Sequence, residues 1–198
     1  MKLSRGSAIL VATCGVLWLL SVGAGMAGLW IHANSPGIAE PAPRAWPAGS
    51  VLRLAPGRAT LVMLVHPHCP CTRASIRELD RLMARTRGLL AAHVLFLKPD
   101  GFDDDWARTD LWSSAAAIPD VDVAIDSQGS ESARFGAVTS GLTLLYGPSG
   151  RLLFEGGITP ARGHEGDSPG VDAIVSLLRE GTSGRSQAPV FGCSLRDP

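Results

Sequence analysis

From Ala8 to Ile31 the chain carries no charged residue, while Lys2 and Arg5 stand just before that stretch. No other feature limits the fold as much. An apolar run of this length does not fit the surface of a globular domain. As a helix it would rise about 36 Å, enough to cross a hydrocarbon core of about 30 Å with some tilt. The basic flank puts the amino-terminal end in the cytoplasm and the rest of the chain outside it. The alternative is a cleaved secretory signal, with residues 8–20 as its apolar region and Val22-Gly23-Ala24 as its cleavage site. Either reading exports the remainder of the chain. The expectation is a single-pass cell-membrane protein with its C-terminal domain on the periplasmic or extracytoplasmic side. Cys14, inside the run, reads as a small apolar filler.

The chain as a whole is neutral, with 18 Lys+Arg against 18 Asp+Glu. A nucleic-acid binder would show a basic excess, so that class is excluded. Disorder is excluded too, since 45% of residues are hydrophobic and 18% charged. Residues 32–49 hold Pro36, Pro41, Pro43 and Pro47 among small residues, the pattern of an extended, semi-rigid tether. The predicted organisation is an anchor or signal over 1–31 and a Pro-rich linker over 32–49. A domain over 50–183 comes next, then a tail over 184–198 that carries Cys193.

Within the domain, residues 60–66 (TLVMLVH) form a continuous apolar run of strand length, as in a strand buried on both faces. In residues 72–87, Ile76, Leu79, Leu82 and Met83 recur at helical spacing beside charged positions. Residues 92–97 read as a second buried strand. Asp103-Asp104-Asp105 opens a helix predicted to run to about Ala117, before Pro119. A strand over 121–126 and a short helix over 131–135 come next. Residues 142–146 and 151–156 flank Gly147-Pro148-Ser149-Gly150 as a hairpin, and 171–179 read as a last helix ending before Gly181. This alternation predicts an α/β sheet, parallel in its first half, with helices on both faces.

The chemistry lies in His66-Pro67-His68-Cys69-Pro70-Cys71, between the first strand and the helix after it. Pro70 suits the first helical position, which puts Cys69 at the N-cap. A sulfur there faces unpaired amides and the positive end of the helix dipole, which favour thiolate over thiol. An imidazolium from His66 or His68 would act the same way. Cys71 can close a small ring with Cys69, and Cys193 in Val190-Phe191-Gly192-Cys193 is a second possible partner.

A strand, a cysteine pair at a helix start and the subsequent order of elements resemble the thioredoxin-like superfamily over residues 50–181. The resemblance implies a central mixed sheet flanked by helices, a nucleophilic Cys69 and a resolving Cys71, with no cofactor. The superfamily's spacing is Cys-x-x-Cys, one residue longer than here, and residues 139–145 lack the proline usual before the hairpin strand. A narrower resemblance is to membrane-anchored, thioredoxin-like proteins labelled RedB. It rests on HPHCPCTRAS, ARFGAVTSG, LLFEGGIT with RGHEGD after it, and PVFGC. By the superfamily's arrangement, in which the loop before the hairpin and the segment after it lie near the dithiol, Thr139, Ser140 and Gly141 would contact substrate, and Arg162 and His164 would approach the sulfurs.

The function so predicted is thiol–disulfide exchange with the disulfides or thiols of other envelope proteins, through Cys69 and Cys71, with Cys193 as a possible resolving thiol. The alternative is a copper or zinc binding protein or metallochaperone using His66, His68, Cys69 and Cys71, whose imidazoles and thiolates suit either metal. A thiol peroxidase and an inert domain with a structural disulfide are further readings. The peroxidase Pro-x-x-x-Thr/Ser-x-x-Cys run is absent.

Overall fold

A computed structural model of the chain describes residues 5–196. They fall into two units, one ending at Ser35 and the other beginning at Pro36. The first is a single helix, α1 (Arg5–Asn34), with no buried side chains. By length and composition it can cross a membrane, a test that a signal sequence passes equally.

The second unit is built on five strands: β1 (Ala59–Val65), β2 (Leu90–Lys98), β3 (Val121–Ser127), β4 (Leu142–Tyr146) and β5 (Leu152–Gly156). Their order in the sheet is β3-β2-β1-β4-β5. β1 and β2 are parallel, as are β2 and β3, whereas β4 runs antiparallel to β1 and β5 antiparallel to β4. β1 is thus central and lies where the sheet changes from parallel to antiparallel. All seven of its residues are buried. Leu61, Met63 and Val65 enter one core while Val62 and Leu64 enter the other, so the run is apolar throughout instead of alternating.

The first core is closed by helices. α2 (Pro70–Arg85) contributes Ile76, Leu79, Leu82 and Met83, α4 (Asp110–Ala116) contributes Leu111 and Ala115, and α6 (Pro169–Glu180) contributes Val171, Ile174 and Val175. Each large apolar side chain buried here stabilises the fold by about 1.5–3 kcal/mol. Among the described residues the other face carries one short helix, α5 (Ser130–Arg134). The rest of that core is closed by Ala42 and Trp46 from the segment before β1 and by Val190 and Leu195 from the tail.

Two expectations are corrected. From Gly37 onward, the proline-rich stretch is a strap laid on the domain and not a free tether. Trp46 donates its amide to Gly150, the Arg44 carbonyl accepts from Leu152, and Tyr146 donates its hydroxyl to the Pro43 carbonyl. Trp46 also packs edge-on against Phe135 and Tyr146. A face with one short helix leaves room that these side chains fill. The helix predicted from Asp103 to Ala117 is in fact two, α3 (Asp104–Ala107) and α4, parted at Arg108 and Thr109. Asp103 caps the first as expected, but Thr109 takes an extended backbone, caps the second and donates to the Pro67 carbonyl at 3.4 Å.

Candidate functional site

Cys69 sits where β1 ends and α2 begins, beside the antiparallel neighbour β4. It is the N-cap residue of α2, and Pro70 opens the helix. The turn from His66 to Cys69 is held by buried hydroxyls. The His66 amide donates to Ser140 Oγ at 2.9 Å, Thr72 Oγ1 donates to the His66 carbonyl at 2.9 Å, and the two hydroxyls meet at 3.1 Å. The Cys69 amide closes the turn on the His66 carbonyl. Gly141 adds a backbone bond, its amide donating to the Leu64 carbonyl at 2.8 Å. It needs to be glycine, because its φ of 89° is left-handed and an added Cβ would crowd Ser75 Oγ.

Cys69, Cys71 and Cys193 are free thiols in the structure, and they come together although Cys193 lies far away in sequence. The Cys69 thiol is brought down to about 4, first because the Cys71 thiol donates to its sulfur. Burial opposes this shift, while the Cys193 thiol and the amides of both neighbours reinforce it. Donors aimed at a sulfur favour its charged form. The same contact keeps Cys71 protonated, its thiol pushed far up by the bond to Cys69, by burial and by the Cys69 charge. Cys193 is pushed up to about 12, first by burial and then by Cys69. These opposed directions favour the charged form at Cys69 and the protonated form at Cys71 and Cys193.

The histidines act differently from the sequence expectation. His66 is buried, and its titration is lowered first by burial, with the Cys69 charge working the other way. Its Nδ1 accepts from the His68 amide at 3.1 Å, which puts the ring proton of the neutral form on Nε2. His68 is exposed and pairs its Nε2 with the Trp106 carbonyl at 3.0 Å. Trp106 lies 5.5 Å from the His66 ring and 4.6 Å from the His68 ring, centroid to centroid. The leading stabilisers of the thiolate are thiols and not imidazoles.

Arg162 follows β5 and donates to the Gly192 carbonyl at 2.5 Å. Its guanidinium favours thiolates at Cys71 and Cys193, against the larger effects that raise them. His164 is exposed and contacts the Arg162 carbonyl. The polar groups of residues 139–141 have internal partners. Thr139 Oγ1 donates to the Ile38 carbonyl at 2.7 Å and the Ser140 amide to the Cys193 carbonyl at 2.8 Å. The metal reading gains no support: among the described residues no group of three or more His, Cys, Asp or Glu is placed to hold an ion.

Thr72 and Trp106 escaped the sequence reading. Thr72 had a local signal, a hydroxyl directly after the second cysteine on the first turn of a helix. Trp106 had none, because it reaches the site from α3, a helix distant from Cys69 in sequence. Glu78 was also missed. It is buried on α2, bonds Arg81, and accepts from the Gly166 amide at 2.7 Å. Arg77 and Arg81 both pair with Glu165. Together these contacts fix the loop that carries Arg162.

The sheet order and the cysteines at the head of α2 make the fold thioredoxin-like. No known family matches the chain by sequence, and no curated protein does either. Solved structures do match. An uncharacterized conserved protein from Geobacillus kaustophilus is 18% identical with a TM-score of 0.60, over 83% of this chain and 93% of that one. A hypothetical protein from Sinorhizobium meliloti is 21% identical with a TM-score of 0.59, over 82% and 94%. A thioredoxin-like protein solved in its oxidized form is 14% identical with a TM-score of 0.48, over 76% and 97%.

Proposed function

We propose that the chain is an exported, membrane-tethered thiol–disulfide redox protein that exchanges electrons with disulfides or thiols of other envelope proteins. The observation that carries this reading is the gathering of three free cysteines at the head of α2, where both other thiols bond to Cys69 and favour its thiolate. A thiolate is the attacking species in disulfide exchange. The length and apolarity of α1 support the tether, and the resemblance to membrane-anchored RedB-like proteins is in keeping with both.

Exchange begins when Cys69 attacks one sulfur of a partner disulfide. A Cys69–partner bond forms, and the other partner sulfur leaves as a thiolate that takes a proton from solvent. Cys69 is then neutral, so the charge that kept Cys71 and Cys193 protonated is gone, while Arg162 still favours a thiolate there. Cys71 or Cys193 loses its proton, attacks the Cys69 sulfur and releases the second partner thiolate. The partner has gained two electrons, and the chain has lost two and holds one disulfide. The reverse sequence oxidises a partner dithiol. A further dithiol or disulfide protein of the envelope resets the chain.

Thiol titration and peptide mass mapping test this reading, after treatment with oxidised glutathione and then with a dithiol reductant, and with no metal added. The expected result is a reversible loss of two thiols with a Cys69–Cys71 or Cys69–Cys193 linked peptide, abolished by Cys69→Ser. Three thiols that never oxidise would overturn it.

A further inference from the structure

Cys69 is the sulfur whose charged form its neighbours favour, yet only 2% of its surface is exposed. A sulfur that attacks another protein's disulfide must reach it directly, so whatever covers Cys69 has to move. The end of the tail lies against it, with the Cys193 thiol bonded to the Cys69 sulfur. The Cys193 carbonyl accepts from the Ser140 amide at 2.8 Å, and the Leu195 amide donates to the Val138 carbonyl at 3.0 Å. Thr139 and Ser194 form the antiparallel bridge between these two bonds. Residues 193–195 thus lie as a short strand on the edge formed by residues 138–140. That pairing places a cysteine, Cys193, against the Cys69 sulfur.

The tail is held unevenly. Its earlier part is fixed: Ser186, Ala188, Pro189 and Val190 all make backbone bonds to Glu155, Gly157 or Gly37, and the side chains of Val190 and Phe191 are buried. From Gly192 onward the ties include the Arg162 bond to the Gly192 carbonyl, the two strand bonds, the Cys193 thiol against Cys69, the buried Leu195 and the exposed Arg196–Glu40 ion pair. Gly192 marks the boundary. A Cβ there would overlap the Ser140 carbonyl oxygen, so this close approach requires glycine.

We propose that residues 193–196 are a displaceable plug. They occupy the 138–140 edge as an internal competitor, and an extended, cysteine-bearing segment of a partner protein takes their place as the added strand. The tail itself points to that occupant. It shows that an extended backbone pairs with this edge and that a cysteine so paired arrives at Cys69. The inference rests on the redox reading only for the identity of the partner's sulfur. Strand exchange at the edge is a separate, noncovalent event.

The probe is a fluorescein-labelled peptide copying residues 191–196 with serine at its cysteine, titrated by anisotropy against the reduced full chain in detergent. A chain ending at Gly192 and the Gly192→Ala variant, whose methyl group pushes the tail from Ser140, are each expected to bind it at least tenfold more tightly than the intact chain. Cys193→Ser, which keeps the strand bonds, is expected to bind like the intact chain. Hydrogen exchange at the Ser140 amide adds a second readout: protection is lost in the shortened chain and regained with peptide. Equal affinity for the intact chain and both plug variants would overturn the proposal. Should the shortened chain not fold, Gly192→Ala decides alone. Because the peptide contains no sulfur, this outcome is independent of whether the thiols oxidise.

Discussion

Cys69 is charged because two thiols donate to it, and each donor is held protonated in return. These opposed shifts set the sign of the pH dependence. Cys69 in the folded, reduced chain titrates at about 4, below the ordinary thiol range, so its contribution to stability is complete above that range and is lost as pH falls through about 4. Cys71 and Cys193 are raised, so their contribution is present below the ordinary thiol range and is lost as pH rises beyond it. The reduced chain is therefore expected to gain stability from this cluster as pH rises from about 4 to the ordinary range, and to lose it above. Replacing the leading donor, Cys71→Ala, should raise the Cys69 midpoint by about one to two pH units. That figure takes a hydrogen bond to a charged group as about 1.5–3 kcal/mol and one pH unit as about 1.4 kcal/mol. Ultraviolet thiolate absorbance against pH measures it, and an unchanged midpoint would remove Cys71 as the source. The position of Cys69 was legible in sequence, since Pro70 after it marks a helix start. The donors were not fully legible, because Cys193 approaches through the tail and no local pattern encodes that contact.

The turn between β1 and α2 depends on an element that comes much later in the chain. Ser140, just before β4, accepts from the His66 amide and meets the Thr72 hydroxyl. Ser140→Ala would leave a buried amide without its acceptor, at a cost of about 1–3 kcal/mol. Urea denaturation of the reduced and oxidised forms measures the loss. If the turn holds the cysteines in place, the thiolate midpoint of Cys69 shifts as well, which a purely structural loss of stability would not produce. Among the elements, β1 and α2 were readable because burial on both faces writes a continuous apolar run and a one-sided helix writes its own period. The break between α3 and α4 was not, because Thr109 leaves the helix to bond Pro67, a tertiary contact. Nor was the strap. Four prolines describe a stiff chain equally well whether it lies in solvent or on a sheet, and only the open space over β4 and β5 decides.

On the scale of the molecule, the two units are distinct: α1 buries none of its side chains, and the domain from Pro36 has two cores of its own. A chain begun at Pro36 is expected to unfold in one cooperative transition, with the same midpoint as the full chain, and to partition into the aqueous phase of a detergent separation. Circular dichroism and partitioning check both points, and a lost or broadened transition would tie the domain's stability to α1. The strap and the tail also meet each other. Gly37 bonds Val190, and Glu40 pairs with Arg196 at 2.5 Å. The first and last segments of the domain thus end side by side, the arrangement that tolerates circular permutation. Joined there and reopened in the exposed turn before Arg151, the domain would keep every strand pairing while its tail became an internal loop. Such a ring would still fold around Cys69, but residues 193–195 could leave the 138–140 edge only as part of a loop tethered on both sides.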